Sequence, residues 1–294
     1  MGTEPRNPTA LKRWLFFTLR RLREEKGFSR DDAAKAIRAS VKIVEHYEVG
    51  RRLPSPLALE KLLELYGVPE RVEFFIDLLA RAKKGCDWWA RFDFDTDQAT
   101  LPPWFKLFLS LESEAVQIEG WDALVVPGLF QTPEYAEALV RASAVDDLSG
   151  DEIARRVDLR MARQREVLDR DGEPPIVWRV IHENALRLPA GNSDVSLGQL
   201  DHLLKLLERP NVTVQVLPSS AGEHNGFAGS FTFLSFPAEL EDPGLVHAET
   251  HVRSLYYERP EELETYRKVL RRLYAQALPP ERTPSMLRKV MKEL

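Results

Sequence analysis

Cysteine is nearly absent: Cys86 is the single one in 294 residues, so no intramolecular disulfide can form and packing must hold the fold. With no histidine or second thiol close by, Cys86 reads as a small semi-buried linker residue rather than a redox sensor. No apolar run approaches the roughly 20 residues of a membrane span, and the first residues lack a secretory pattern. No repeat with a period of roughly 20–50 residues is present. The loop Ser219 to Gly229 holds three glycines but no phosphate-loop lysine, so nucleotide binding is not expected. His247 and His251 have the spacing of two helical zinc ligands, yet Ala248 stands where the protease signature requires glutamate. That segment also reads as a strand, and His182, His202 and His224 are too scattered to be ligands. A chain with no metal, no cofactor and a reducing cytoplasmic setting is expected.

What remains is an ordinary globular composition, 44% hydrophobic and 30% charged, with room for two domains. Charge is unevenly spread. Residues 1–70 carry 14 Lys plus Arg against 10 Asp plus Glu, an excess of +4. The net −5 of the whole chain leaves −9 (27 against 36) for the rest. A modest basic excess at one end suits phosphate binding that is weak in one copy and sensitive to salt.

The most informative stretch, Phe28 to Pro56, lies in that basic end. Ser29 can cap a helix from Arg30 to Ile37, with Ala33, Ala34 and Ile37 facing inward. Ala34 leaves room for a second helix to cross closely. Arg38-Ala39-Ser40 makes the turn, and Ser40 can cap a helix from Val41 to about Val49 that Gly50 stops. Val44 and Tyr47 face inward, leaving Val41, Lys42, Glu45 and His46 outward. A helix presented this way fits the major groove. Upstream, Leu11, Leu15, Leu19 and Leu22 form a helical stripe, with Lys12, Arg13, Arg20, Arg21 and Arg23 off it. Downstream, Ser55-Pro56 opens a helix with Leu59, Leu62, Leu63 and Tyr66 on one side. A last helix, Glu70 to Lys84, carries Val72, Phe75, Ile76 and Leu79.

Over Leu11 to Pro69 this pattern resembles the Xre/Cro-type helix-turn-helix family, the fold of lambda-like repressors. The residues that carry it are Ser29, Ala34, Ser40, Val44, Tyr47-Glu48, Gly50-Arg51 and Pro54-Ser55-Pro56. The resemblance implies a five-helix all-α domain whose second and third helices grip double-stranded DNA. The chain departs from it in two places. Arg30 replaces the usual glutamine, and Arg38 stands where the turn usually holds a positive-φ glycine, costing roughly 1–2 kcal/mol if that conformation is kept. Asp31, Asp32 and Glu45 add negative charge near the reading helix, which leaves a protein-contact module as an alternative. Arg30, Ser40, Val41, Lys42, Glu45 and His46 are the candidate operator contacts, with Arg51 and Arg52 on the phosphate backbone.

The expected division is a DNA-binding domain over 1–84, a linker over 85–102 and a C-terminal domain over 103–294. In the linker, Trp88, Trp89 and Phe92 are expected to dock rather than stand exposed. Beyond it, helical segments are expected at Trp104–Glu119, Pro133–Ala142, Gly150–Arg170, Ser196–Glu208, Pro260–Ala277 and Pro284–Leu294. Strands are expected at Ile176–Ile181, Val212–Leu217, Gly229–Phe236, Leu245–Glu249 and Val252–Tyr257. That mixture predicts an α+β domain with a sheet of about five short strands.

A second set of motifs covers nearly the whole chain beyond the linker. They are Leu101-Pro102-Pro103-Trp104-Phe105, Val126 to Ala136 (VPGLFQTPEYA), Arg160 with Arg163-Gln164, His182 to Arg187 (HENALR), Asn211 to Pro218 (NVTVQVLP) and Gly229-Ser230-Phe231. Together these resemble a large bacterial regulator family. In it an Xre-type module precedes a C-terminal domain of unknown function described as antitoxin-like and often encoded beside a very small partner protein. The resemblance implies a transcription regulator whose C-terminal domain senses a ligand, dimerises or binds a partner.

Gln131, Arg163, Gln164, Glu183, His224 and Glu249 are the candidate pocket residues. Gln131 follows a bend at Pro127-Gly128 and precedes a helix capped by Thr132, so it can either line a pocket or serve structure. Glu183 and Glu249 each end a strand-like run and can share one cleft. Pairing with Arg160, Arg163 and Arg187 is the plainer role for them, so no enzymatic activity is expected. The leading expectation is a homodimeric regulator on an operator of double-stranded DNA. The alternative is an interaction protein that mainly sequesters a small partner. An enzyme using Glu183, Glu249 or His224 ranks last.

Overall fold

The computed structural model describes residues 7–93, 101–144, 147–250 and 253–294. It divides into two compact units, one ending at Ala90 and the next beginning at Arg91. Of the linker expected over 85–102, residues 85–90 thus belong to the first unit, and 94–100 lie outside the described residues.

The first unit has the five expected helices: α1 (Pro8–Glu25), α2 (Arg30–Ala36), α3 (Val41–Glu48), α4 (Pro56–Leu65) and α5 (Val72–Lys83). The stripe of Leu11, Leu15, Leu19 and Leu22 is buried with Trp14 between its turns, and Leu59, Leu62, Leu63 and Tyr66 meet the same core. Capping is local chemistry. The Ser29 hydroxyl accepts from the Asp32 amide, and that of Ser55 accepts from Ala58. α5 begins two residues later than expected, because Pro69–Arg71 forms a 3-10 turn ahead of it. Trp89 is buried, and Asp87 accepts from the amide and hydroxyl of Thr9 at 3.1 and 2.7 Å, which pins this end of the chain onto α1.

The second unit is built on a mixed six-stranded sheet of order β3-β2-β1-β4-β5-β6. Its strands are β1 (Gln117–Asp122), β2 (Ile176–His182), β3 (Val212–Leu217), β4 (Phe231–Ser235), β5 (Leu245–Glu249) and β6 (Ser254–Tyr257). The helices are α6 (Pro103–Glu114), α7 (Pro133–Ser143), α8 (Gly150–Leu168), α9 (Glu183–Arg187), α10 (Ser193–Leu206), α11 (Pro260–Gln276) and α12 (Thr283–Met291). One expectation is corrected: the helix expected over Trp104–Glu119 ends at Glu114, and its tail is β1. Ala115 turns extended, and Val116, Ile118 and Gly120 suit a strand better than a helix. The unforeseen strand is central, parallel to β2 and antiparallel to β4. α9 was not foreseen either.

One face of the sheet packs Trp121, Val180, Phe231, Phe233 and Val246 against Leu263, Leu270 and Leu273 of α11. By the two-residue period of a strand, Ile118, Gly120 and Asp122 turn to the opposite face. That face carries the charged residues described next.

Candidate functional site

In the first unit, α2 and α3 meet through small residues. Ala33 and Ala34 are buried, as are Val44 and Tyr47, while Ile37 is half-buried. Arg38 adopts φ +52°, so the turn keeps the left-handed conformation that glycine usually supplies. Closing it, the Ala39 amide donates to the Ala34 carbonyl at 2.9 Å. Ser40 holds the N-cap position of α3, but its hydroxyl makes no capping bond, which corrects that expectation and leaves the group exposed. Gly50 ends the segment at φ +77°, and an added Cβ would strike the Phe16 ring at 2.7 Å.

The outward face is as expected: Val41, Lys42 and Glu45 are exposed and His46 is half-buried. Among the described residues, Arg38, Lys42, Arg51 and Arg52 make no ion pair, so their charges are available to a polyanion. Two of the three nearby acids are occupied: Asp31 pairs with Lys35 at 2.5 Å, and Asp32 accepts from the Ser29 amide and hydroxyl, while Glu45 is exposed. Those Ser29 bonds hold the Asp32 carboxyl below its ordinary range.

Two residues depart from expectation. Arg23, placed off the apolar stripe of α1, is buried and ion-paired with Glu48 of α3 through two nitrogens. Arg30 donates from Nε to the same carboxylate at 2.8 Å, so only its outer nitrogens can reach phosphate. Burial pushes the Glu48 carboxyl up, but bonds from Arg23 and Arg30 prevail and hold it low. A buried carboxylate with two arginines therefore ties α1, α2 and α3 together behind the outward face of α3.

In the second unit, Gln131, Arg163, Gln164 and Glu249 gather around the bend at Val126–Gln131. Gln131 is buried, donates to the Val126 carbonyl and accepts from Arg160, both at 2.6 Å. Gln164 donates to the carbonyls of Gly128 and Gln131 at 2.9 and 2.8 Å. Arg163 grips Glu112 with Nε and Nη2. On β1 and β2, Arg179 holds Asp122 at 2.8 and 2.7 Å, both buried, with its guanidinium lying over Gly120. Burial pushes the Asp122 carboxyl up while Arg179 pulls it back. His247 stacks on Phe108 at 4.0 Å, with the Arg163 guanidinium over Phe108 at 5.0 Å. Burial, then Arg163, pushes His247 down to about 3, so the ring is neutral at physiological pH.

All of these side chains except Gln164 border a cavity of about 460 Å³, and a neighbouring cavity of about 300 Å³ shares Arg160, Arg163 and Glu249 with it. Glu183, His224 and Gln164 line neither. Glu183 pairs with Arg187 at 2.7 Å and accepts from the Ser219 amide, while Glu249 lies three strands away on β5. The idea of one cleft for both carboxylates is therefore corrected. His224 joins His182 and Trp121 at ring separations of 5.6 and 5.1 Å, with Trp121 donating to the Gly226 carbonyl. His251 lies outside the described residues; His247 is spent on Phe108 and on Ser254 at 2.7 Å.

As pocket residues, sequence reasoning missed Glu112, Asp122 and Arg179, and it weighed His247 only as a metal ligand. Arg179 was detectable: a single charge inside the apolar run of β2 needs a buried partner.

In comparisons with known proteins, residues 15–74 match a helix-turn-helix domain and residues 105–289 match a domain of unknown function, DUF5753. No similar protein was found among curated proteins or solved structures. No helix among the described residues is long and apolar enough to cross a membrane.

Proposed function

The chain belongs to the family defined by the domain of unknown function DUF5753, and from that premise we propose a sequence-specific, DNA-binding transcriptional regulator of the Xre type whose C-terminal unit senses a small ligand. The observation that carries it is the face of α3: Ser40, Val41, Lys42, Glu45 and His46 point outward, flanked by Arg38, Arg51 and Arg52, which make no ion pair among the described residues. Lys42 and His46 read base edges, Glu45 accepts from a cytosine amino group, and the arginines hold phosphates. One short helix supplies too little discrimination, so two copies on half-sites about one helical turn apart complete the reading. Such a regulator works in the cytoplasm and carries out no catalysis of its own.

Footprinting on the promoter of its own operon tests this. Lys42→Ala combined with His46→Ala should weaken operator binding at least a hundredfold at fixed salt. Protection equal to that of the wild type would remove α3 as the reading helix.

A second reading, an antitoxin-like protein that chiefly sequesters a small partner, draws support from one place. Phe227 and Leu124 are 74% and 73% exposed on loops at the same end of the sheet. Under it, Phe227→Ser releases the small protein encoded beside the gene while operator affinity stays unchanged.

A further inference from the structure

Three arginines face the interior between α6, α8 and the sheet, and two of them are neutralised. Arg163 has Glu112 and Arg179 has Asp122. Arg160 does not. Its guanidinium donates to the neutral amide oxygen of Gln131 at 2.6 Å, and no carboxylate among the described residues lies within ion-pair reach. Glu249 acts as a counter-charge from beyond ion-pair reach, opposing the downward pull of burial and of Arg163 that leaves Arg160 at about 10. An arginine partly withdrawn from water with no carboxylate in reach gains from an anion brought to it.

The 300 Å³ cavity at Arg160 has a mixed lining. Trp104, Phe105, Val140 and Leu159 supply apolar surface, and Arg156 and Arg160 supply cationic groups. Its lining holds four arginines and two glutamates. Of these, Glu152 is bonded into the Ser149 capping box, and Glu112, outside this lining, cancels Arg163. This volume is at the small end for metabolite pockets.

We propose that this cavity binds an amphiphilic monoanion, an organic acid whose carboxylate sits on Arg160 and whose apolar body lies against Trp104, Phe105 and Leu159. A planar guanidinium meets a carboxylate through two parallel bonds, and the aromatic wall takes the hydrocarbon out of water. The assignment rests on the regulator reading only for its consequence, that occupancy changes operator affinity.

Titration calorimetry on the full chain, with no DNA present, tests the site with octanoate, octanamide, octylamine and inorganic phosphate as probes. Octanoate should bind saturably, one per chain, at least tenfold tighter than octanamide, with octylamine and phosphate weaker still. Arg160→Met should erase the preference for octanoate over octanamide. Glu249→Gln, at an exposed position that does not endanger folding, should tighten octanoate severalfold by removing the facing negative charge. Equal binding of octanoate and octanamide, a preference for phosphate or octylamine, or octanoate affinity indifferent to Glu249→Gln would overturn the proposal. Heat of binding measured without DNA succeeds or fails independently of the footprint, so the two readings fall separately.

Discussion

Arg38 and Glu48 show how much of the reading unit rests on single side chains. Arg38 holds φ +52° with a Cβ that this conformation disfavours. Arg38→Gly should therefore raise the stability of the first unit by about 1 kcal/mol, the relieved strain less the extra chain entropy of glycine. Thermal unfolding followed by helical circular dichroism checks it. Glu48 is the buried counter-charge of both Arg23 and Arg30. Replacing it with glutamine should cost about 3 kcal/mol, since buried Arg23 then keeps only the solvent-exposed Glu24 as a counter-charge. Its carboxyl is held below the ordinary value, so its contribution is complete above the ordinary carboxylate range and fades as pH falls through the folded-state value. The gap between wild type and Glu48→Gln should accordingly close under acid, as urea unfolding at a series of pH values would show. A gap that stays constant would mean that Glu48 does not titrate with folding.

Among elements, β1 decides the second unit. It sits between β2 and β4 and carries Gly120, over which the Arg179 side chain crosses to Asp122. An added Cβ would press on Arg179 Nη1 and lie 2.5 Å from the Phe231 carbonyl on the neighbouring strand. Gly120→Ala should cost at least about 3 kcal/mol, because backbone must move or the buried pair must break. The second unit should then unfold at lower urea while the first keeps its midpoint. Helix α3 behaves differently: its inner residues are few, and its outer face is free to change specificity without loss of fold.

Across the whole molecule, the excess of +4 over residues 1–70 against −9 for the rest makes DNA binding a property of one end. If Lys42, Arg51 and Arg52 from each of two copies each displace a counterion, operator affinity should fall about a thousandfold between 50 and 200 mM salt. Arg51→Ala with Arg52→Ala should flatten the salt slope by roughly four charges for the dimer while leaving base preference unchanged, measured by fluorescence anisotropy. An unchanged slope would place both arginines off the backbone.

Sequence by itself determined the helix-turn-helix and most of the second unit's elements. Helix caps, the Leu11–Leu22 stripe, the Ala33-Ala34 pair and the valines of β3 are local or periodic signals, set by the nearest few residues. Tertiary structure alone decided the rest. Whether Gln117–Asp122 was helix or strand depended on β2 and β4 being available on either side. Whether Arg163 and Arg179 were charged lining or neutral pairs depended on Glu112 and Asp122, 51 and 57 residues away in the chain. Charge pairing at that separation has no local signature, which is why the cavity at Arg160 emerges only once the sheet has formed.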